Sequence, residues 1–250
     1  MRIAIITGAS SGMGKEFVRQ TLEKGEQYDE LWLIARRKQR LAVWEKRYRK
    51  QKFRLLPLDL LKEQDMQTLY STLKTADPRI GLLVHCAGFG VMGSISEIPL
   101  EEQTEMVDIN CRSLVELTKI LLPYMESGAR MIYLASAAAF LPQPGFAVYA
   151  ASKAFTLSFV RALRRELAPR RIQVTAVCPG AVRTEFFNRA ARHKSLPAYK
   201  RLVMADPQKV VSKAIRDAEA GKELSVYGPA MQAFFLAAKL LPHRLILRFL

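Results

Sequence analysis

Tyr149-Ala150-Ala151-Ser152-Lys153 places a phenol and an ammonium four positions apart, a spacing suited to proton chemistry. On a helix, i and i+4 side chains share one face, one above the other. A phenol of ordinary pKa, about 10, is a poor base at neutral pH. A neighbouring ammonium favours the phenolate and is expected to lower that pKa. Such a pair can give a proton to a carbonyl oxygen or take one from an alcohol. The same spacing on a surface helix is only a polar pair, so other residues must decide. Ser136, in Leu134-Ala135-Ser136-Ala137-Ala138, is the next candidate. A hydroxyl just past the C-terminal end of a parallel strand faces the crevice where open sheets bind ligands. There it can hydrogen-bond a substrate oxygen and stabilise developing charge. The alternative is a capping or turn role.

An anion site is the second signal. Thr7-Gly8-Ala9-Ser10-Ser11-Gly12-Met13-Gly14 follows the apolar run Ile3-Ala4-Ile5-Ile6 and opens a helix-like stretch over 12–24. Gly8 permits a tight turn, Gly12 lets backbone approach a pyrophosphate, and Gly14 allows close helix-strand packing. The helix N-terminus then offers free N–H groups to phosphates. Three glycines alone also fit a plain turn, but the strand-to-helix context is what a dinucleotide site requires. About 20 residues on, sites specific for NAD hold the ribose 2′-hydroxyl with a carboxylate. This chain reads Ala35-Arg36-Arg37-Lys38 instead. Guanidinium groups bind a 2′-phosphate in bidentate fashion, and Arg36 can also stack on the adenine. A solvated charge run is the competing reading, since residues 36–54 carry ten Lys or Arg and one Glu. The missing acid and the two arginines together point to NADP(H).

These groups need a scaffold. Short apolar runs at Ile3–Ile6, Leu31–Ile34, Phe53–Leu56, Leu82–Val84, Met131–Leu134, Ile172–Val177 and Leu224–Tyr227 alternate with helix-like segments at 12–24, 38–50, 62–75, 110–126 and 148–168. Runs of that kind, bounded by turn residues, suit parallel strands covered on both faces. The expected fold is α/β: a single doubly wound Rossmann-type domain, with a parallel sheet of about seven strands and helices on both faces. At 250 residues, half of them hydrophobic and a quarter charged, the chain can bury a large core and is not expected to be disordered. The domain is expected over 1–228, with an apolar and basic helical extension over 229–250.

The motifs Thr7-Gly8-x-x-x-Gly12-x-Gly14, Asp59, Cys86-Ala87-Gly88, Asn110, Ser136, Tyr149-x-x-x-Lys153 and Pro179-Gly180 with Thr184 occur in one order, with 13 positions from Ser136 to Tyr149. In that order and spacing the chain resembles the classical short-chain dehydrogenase/reductase family over essentially its whole length. The resemblance implies Tyr149 as general acid/base. Lys153 would tune it and bind the nicotinamide ribose, and Ser136 would orient the substrate carbonyl. Asn110 would interrupt its helix and hold a water linking Lys153 to solvent. Asp59 would contact the adenine amino group. Pro179, Gly180, Val182 and Thr184 would cover the nicotinamide, with Thr184 near its carboxamide. Gly8, Ser10, Ser11, Gly12, Met13, Gly14, Arg36, Arg37, Leu60, Cys86, Ala87 and Gly88 would complete the cofactor site. The implied activity interconverts a small-molecule carbonyl and a secondary alcohol, in a homodimer or homotetramer built on the helices at 110–126 and 148–168.

One departure stands out. The family usually has Asn-Asn-Ala-Gly after the fourth strand, and this chain has His85-Cys86-Ala87-Gly88. The second Asn normally braces the central sheet, and a thiol is a weak hydrogen-bond former. His85 reads as a partly buried strand residue. With no second ligand nearby, no metal site is expected.

Two regions bear on substrate and partners. Phe186, Phe187, Leu196, Tyr199, Leu202 and Met204 suggest an apolar lid over 185–203, interleaved with basic residues, and hence a fairly hydrophobic substrate such as an acyl chain or steroid. The tail after Gly228 is apolar with Lys239, Arg244 and Arg248 and no acids. It is too interrupted to span a bilayer. Either it lies in a membrane interface with its cations near anionic headgroups, or it packs over the substrate pocket or a partner subunit.

Other function classes fit less well. A non-catalytic NADP(H)-sensing regulator on the same fold would be expected to lose Ser136, Tyr149 or Lys153. The net charge of +16 suggests anionic partners, but no aromatic platform or binding module accompanies it, so nucleic acid is not expected. Cys86, Cys111 and Cys178 are odd in number and lie in apolar stretches, which suits reduced thiols in a cytoplasmic protein. No signal peptide is expected at the N-terminus.

Overall fold

Alternate residues of the first strand set up the two layers of the core. In the computed structural model, which describes residues 1–25, 27–194 and 204–247, β1 (Arg2–Thr7) sends Ile3 and Ile5 to one face and Ala4 and Ile6 to the other. All four are 0% exposed, as the period of two in a strand requires. The elements then alternate: α1 (Gly12–Glu23), β2 (Glu30–Ile34), α2 (Lys38–Arg47), β3 (Phe53–Leu56), α3 (Glu63–Ala76), β4 (Arg79–His85), α4 (Leu100–Val107), α5 (Ser113–Leu121), β5 (Met125–Leu134) and α6 (Ala147–Leu167). They continue with β6 (Gln173–Val177), α7 (Phe186–Ala190), α8 (Pro207–Glu219), β7 (Leu224–Ser225), α9 (Pro229–Leu240) and α10 (His243–Ile246).

The sheet is parallel, in the order β3-β2-β1-β4-β5-β6-β7. Apolar residues of α3, α5 and α6 cover one face, and those of α1, α2 and α8 cover the other. The chain starts at the centre, builds outward to β3, then returns to β4 beside β1. The connections after β1 and β4 therefore leave in opposite directions, opening a crevice at the C-terminal strand ends. Each fully buried Leu or Ile contributes about 1.5–3 kcal/mol, so the two layers hold those strand ends, and the loops they carry, in place.

The expected single helix over 110–126 is a composite. α4 precedes it, residues Asp108–Arg112 form one wide turn with i→i+5 bonding, and α5 ends at Leu121. Leu122-Pro123-Tyr124 tightens into a 3-10 turn, and β5 begins at Met125, earlier than the apolar run Met131–Leu134 suggests. The helical content of 100–107 is hidden in the sequence by Glu101, Glu102, Gln103 and Glu105. Gln103 is nonetheless buried, because its amide donates to the carbonyls of Ile95 and Ile98. β7 is shorter than expected, with only Leu224 and Ser225 paired to β6.

Candidate active site

A cleft of about 1010 Å³ opens at the C-terminal ends of β1 and β4. Every site residue expected from the sequence lines it except Asn110, which lies behind it, 2% exposed.

The glycine loop forms the cleft floor. Gly8 and Gly12 adopt φ of +66° and +52°, a region that a Cβ penalises. A Cβ on Gly14 would collide with the Gly8 carbonyl, so only glycine lets α1 sit this close to β1. The first turn of α1 holds no acid, and the side chain of its N-cap, Ser11, makes no capping bond. Its N-terminal N–H groups thus suit the pyrophosphate of a dinucleotide. Across the cleft Thr184 faces Gly12, where an added Cβ would meet the Thr184 Cβ at 3.4 Å. The Arg37 guanidinium folds back over the loop and donates to Ser10 Oγ at 3.0 Å and Ser11 Oγ at 2.8 Å. Arg36, 60% exposed, reaches Asp59 only at 3.9 Å.

The strand ends are braced by Thr7 and His85, to which the sequence assigned no part in the site. Thr7 Oγ1 accepts from the N–H groups of Cys86 and Ala87, both at 3.1 Å. With its lone pairs engaged, the hydroxyl donates to His85 Nδ1, 3.1 Å away. His85 therefore keeps its own proton on Nε2. Burial, with help from the Lys153 charge, pushes its pKa down to about 3, so it stays neutral. It is fully buried rather than partly so, and Thr7 ties the end of β1 to the backbone that follows β4. The available signal was a lone polar residue closing an apolar strand.

Ser136, Tyr149 and Lys153 converge beside this loop. Ser136 Oγ accepts from the Ala138 N–H at 3.1 Å, so the capping role is real, and its hydroxyl acts on Tyr149. Tyr149 and Lys153 share one face of α6, with Lys153 Nζ 5.7 Å from the Tyr149 ring centroid. The Tyr149 pKa is not lowered as expected. Burial pushes Tyr149 up to about 12 and outweighs the opposing Ser136 hydrogen bond. Burial also pushes Lys153 down, to about 8. Its ammonium donates to the Leu134 carbonyl at 2.8 Å, leaving two donors for other partners. Asn110, in the wide turn, donates to the Phe89 carbonyl at 2.9 Å and Ser152 Oγ at 3.0 Å. Its Oδ1 is buried, has no protein partner, and faces Gly88, where a Cβ would collide with it and lie 3.6 Å from Lys153 Nζ.

The far half of the cleft is apolar. Phe146 stacks on Tyr149 at 4.3 Å, and Phe186 leans on it at 5.6 Å. α7 is tied down by Arg189, which lies over the Phe89 ring and pairs with Glu105 at 2.7 Å. At its start Glu185 accepts from Arg40 at 2.7 Å and stands 3.5 Å from Arg37, so the substrate wall is linked to the arginines after β2. Met231 and Phe234 of α9 complete the lining. Of the expected lid, Phe186, Phe187 and Lys194 line the cleft and Met204 packs beside Phe186 and Phe187. Leu196, Tyr199 and Leu202 lie outside the described residues.

The family model for short chain dehydrogenases matches residues 2–195. The chain belongs to the short-chain dehydrogenase family. The chain is 34% identical over 189 residues, 74% of each sequence, to sulfoacetaldehyde reductase 2 of Chromohalobacter salexigens. A short-chain dehydrogenase from Sphingobium yanoikuyae, solved in complex with NADPH, superposes with a TM-score of 0.80 at 27% identity, covering 96% of this chain and 94% of that one. A family member from Burkholderia phymatum, solved with NAD, shares the fold with a TM-score of 0.81 at 21% identity over 99% of this chain and 95% of that one. As a short-chain dehydrogenase the chain is an oxidoreductase of a family whose members bind NAD or NADP.

Proposed function

We propose that this short-chain dehydrogenase interconverts a carbonyl and a secondary alcohol with NADP(H), using Tyr149 as general acid/base. The observation that carries the reading is the convergence of Ser136, Tyr149 and Lys153 where the glycine-loop cleft meets its apolar half. When bound, a reduced nicotinamide supplies the hydride for the carbonyl carbon. Tyr149, a phenol at neutral pH, gives its proton to the carbonyl oxygen. The O–H of Ser136 hydrogen-bonds that oxygen and steadies its growing charge. The Lys153 ammonium stabilises the phenolate left behind and uses its spare donors on the ribose hydroxyls. The unpartnered Oδ1 of Asn110, beside Lys153, anchors the water through which the proton is restored from solvent.

NADP(H) is supported by Arg36 and Arg37 standing where an NAD site has its carboxylate, and by the NADPH complex of the Sphingobium relative. The apolar half of the cleft, walled by Phe146, Phe186, Phe187 and Phe234, suits a hydrophobic substrate. The domain runs over 1–228, with 229–250 as its extension. Assembly as a dimer or tetramer would cover the exposed Val115 and Phe155 of α5 and α6. The test is NADPH and NADH consumption against ketones, aldehydes, 3-oxoacyl thioesters and steroids. Turnover of at least one of them with NADPH, and weaker use of NADH, is expected. Tighter binding of NADH than of NADPH would overturn the cofactor assignment.

A further inference from the structure

The helix that closes the cleft has an apolar side left over. Met231, Phe234, Phe235 and Ala238 recur at helical spacing along α9 and face the molecule. Met231 and Phe234 line the cleft, the Phe235 ring lies 4.9 Å from Phe140, and Ala238 is buried. The opposite side is also apolar. Leu236 and Leu240 are 54% and 75% exposed, and Leu241 and Leu245 follow at 51% and 47%. A surface helix of a globular protein normally carries polar residues on its outer face. α9 instead presents leucines to solvent.

Charge and length say what the face meets. Between Leu224 and Leu247 the chain carries Lys239, His243 and Arg244 and no Asp or Glu. A second copy meeting this patch about a two-fold axis would bring together two surfaces that carry Lys239 and Arg244 and no acid to pair with them. At 12 residues α9 is far short of the about 20 needed to cross a bilayer. A short apolar helix with cations at its C-terminal end instead suits the boundary between headgroups and acyl chains of an anionic membrane.

We propose that the outer face of α9 and α10 seats the protein in the plane of an anionic bilayer surface, while Met231 and Phe234, on the opposite side of the same helix, form the cleft wall. The same helix then holds the protein at the membrane and borders the substrate half of the cleft. Substrates that partition into lipid would enter from that side. The inference does not depend on which nicotinamide cofactor is used.

The test is flotation of the full chain with phosphatidylcholine vesicles, with and without phosphatidylglycerol, followed by size-exclusion chromatography. The wild type is expected to float with the anionic vesicles and to be released by high salt. The double variant Leu236→Ser, Leu240→Ser should lose about tenfold or more in vesicle partitioning. Both leucines are exposed, so its folding and its NADPH affinity should be unchanged. Three results would overturn the proposal: no flotation of the wild type, equal flotation of the variant, or a wild-type dimer that the variant splits without any vesicle binding.

Discussion

Two opposing effects act on the Tyr149 hydroxyl. Burial disfavours its charge, and the Ser136 hydrogen bond favours it; burial wins, at about 12. Lys153 is pushed the other way, to about 8. Reduction uses the protonated pair, so its pH dependence follows from these two values. Tyr149 keeps its proton across the neutral range, while Lys153 loses its own as pH rises through about 8. The kcat/KM for carbonyl reduction should therefore fall through that pH, and alcohol oxidation should rise. A reduction rate flat from neutrality to the pKa of Tyr149 would count against a role for Lys153. The cofactor arginines make a second prediction. Removing a charged hydrogen bond costs about 1.5–3 kcal/mol, roughly tenfold or more in affinity. Arg37→Ala should lose about that much NADPH affinity and little for NADH. Arg40, with Arg37 adding to it, holds the Glu185 carboxyl below the usual carboxylate range. As an anion near Arg37, Glu185 should oppose a 2′-phosphate, so Glu185→Gln should tighten NADPH in the same titration. Tyr149, Lys153, Ser136 and the glycines were legible because each is a local pattern. The partners of Thr7 and Glu185 lie 79 and 145 residues away, and no local pattern announces them.

At the scale of elements, the cofactor loop works only if α1 can lie against the end of β1. Gly14→Ala would push its Cβ into the Gly8 carbonyl. It should weaken NADPH binding about tenfold or more while leaving circular dichroism near wild type, since the clash is confined to one turn. Binding within twofold of wild type would show that the loop has room to shift. α6 positions Tyr149 and Lys153 through its buried side, where Val160 is 0% exposed and Leu157 is 5% exposed. Leu157→Ala should cost about 2–5 kcal/mol of stability in chemical denaturation. The strands and most helices could be read from apolar periodicity. The joint at 108–112 could not, because an i→i+5 turn leaves no mark on that periodicity. Nor could the start of β5, where Glu126, Ser127 and Gly128 look like loop.

For the whole molecule, the sheet order makes the cleft a consequence of chain reversal between β1 and β4. The alternation of strand and helix was enough to expect that architecture. The packing of the tail was not legible, because an apolar helix with few charges suits a pocket cover and a membrane surface equally well. The structure gives its inner face to the cleft and leaves its outer face exposed. A ligand that binds only the folded chain stabilises it by about 2.7 kcal/mol at a hundred times its Kd. NADPH should therefore raise the melting temperature by several degrees, and more than NADH at equal concentration. The central claim concerns proton transfer by Tyr149, and single-turnover oxidation of bound NADPH by a carbonyl substrate tests it most directly. Tyr149→Phe should slow that step by about 10²–10⁴-fold while NADPH affinity stays within about twofold. A variant that oxidises NADPH at the wild-type rate would contradict the account.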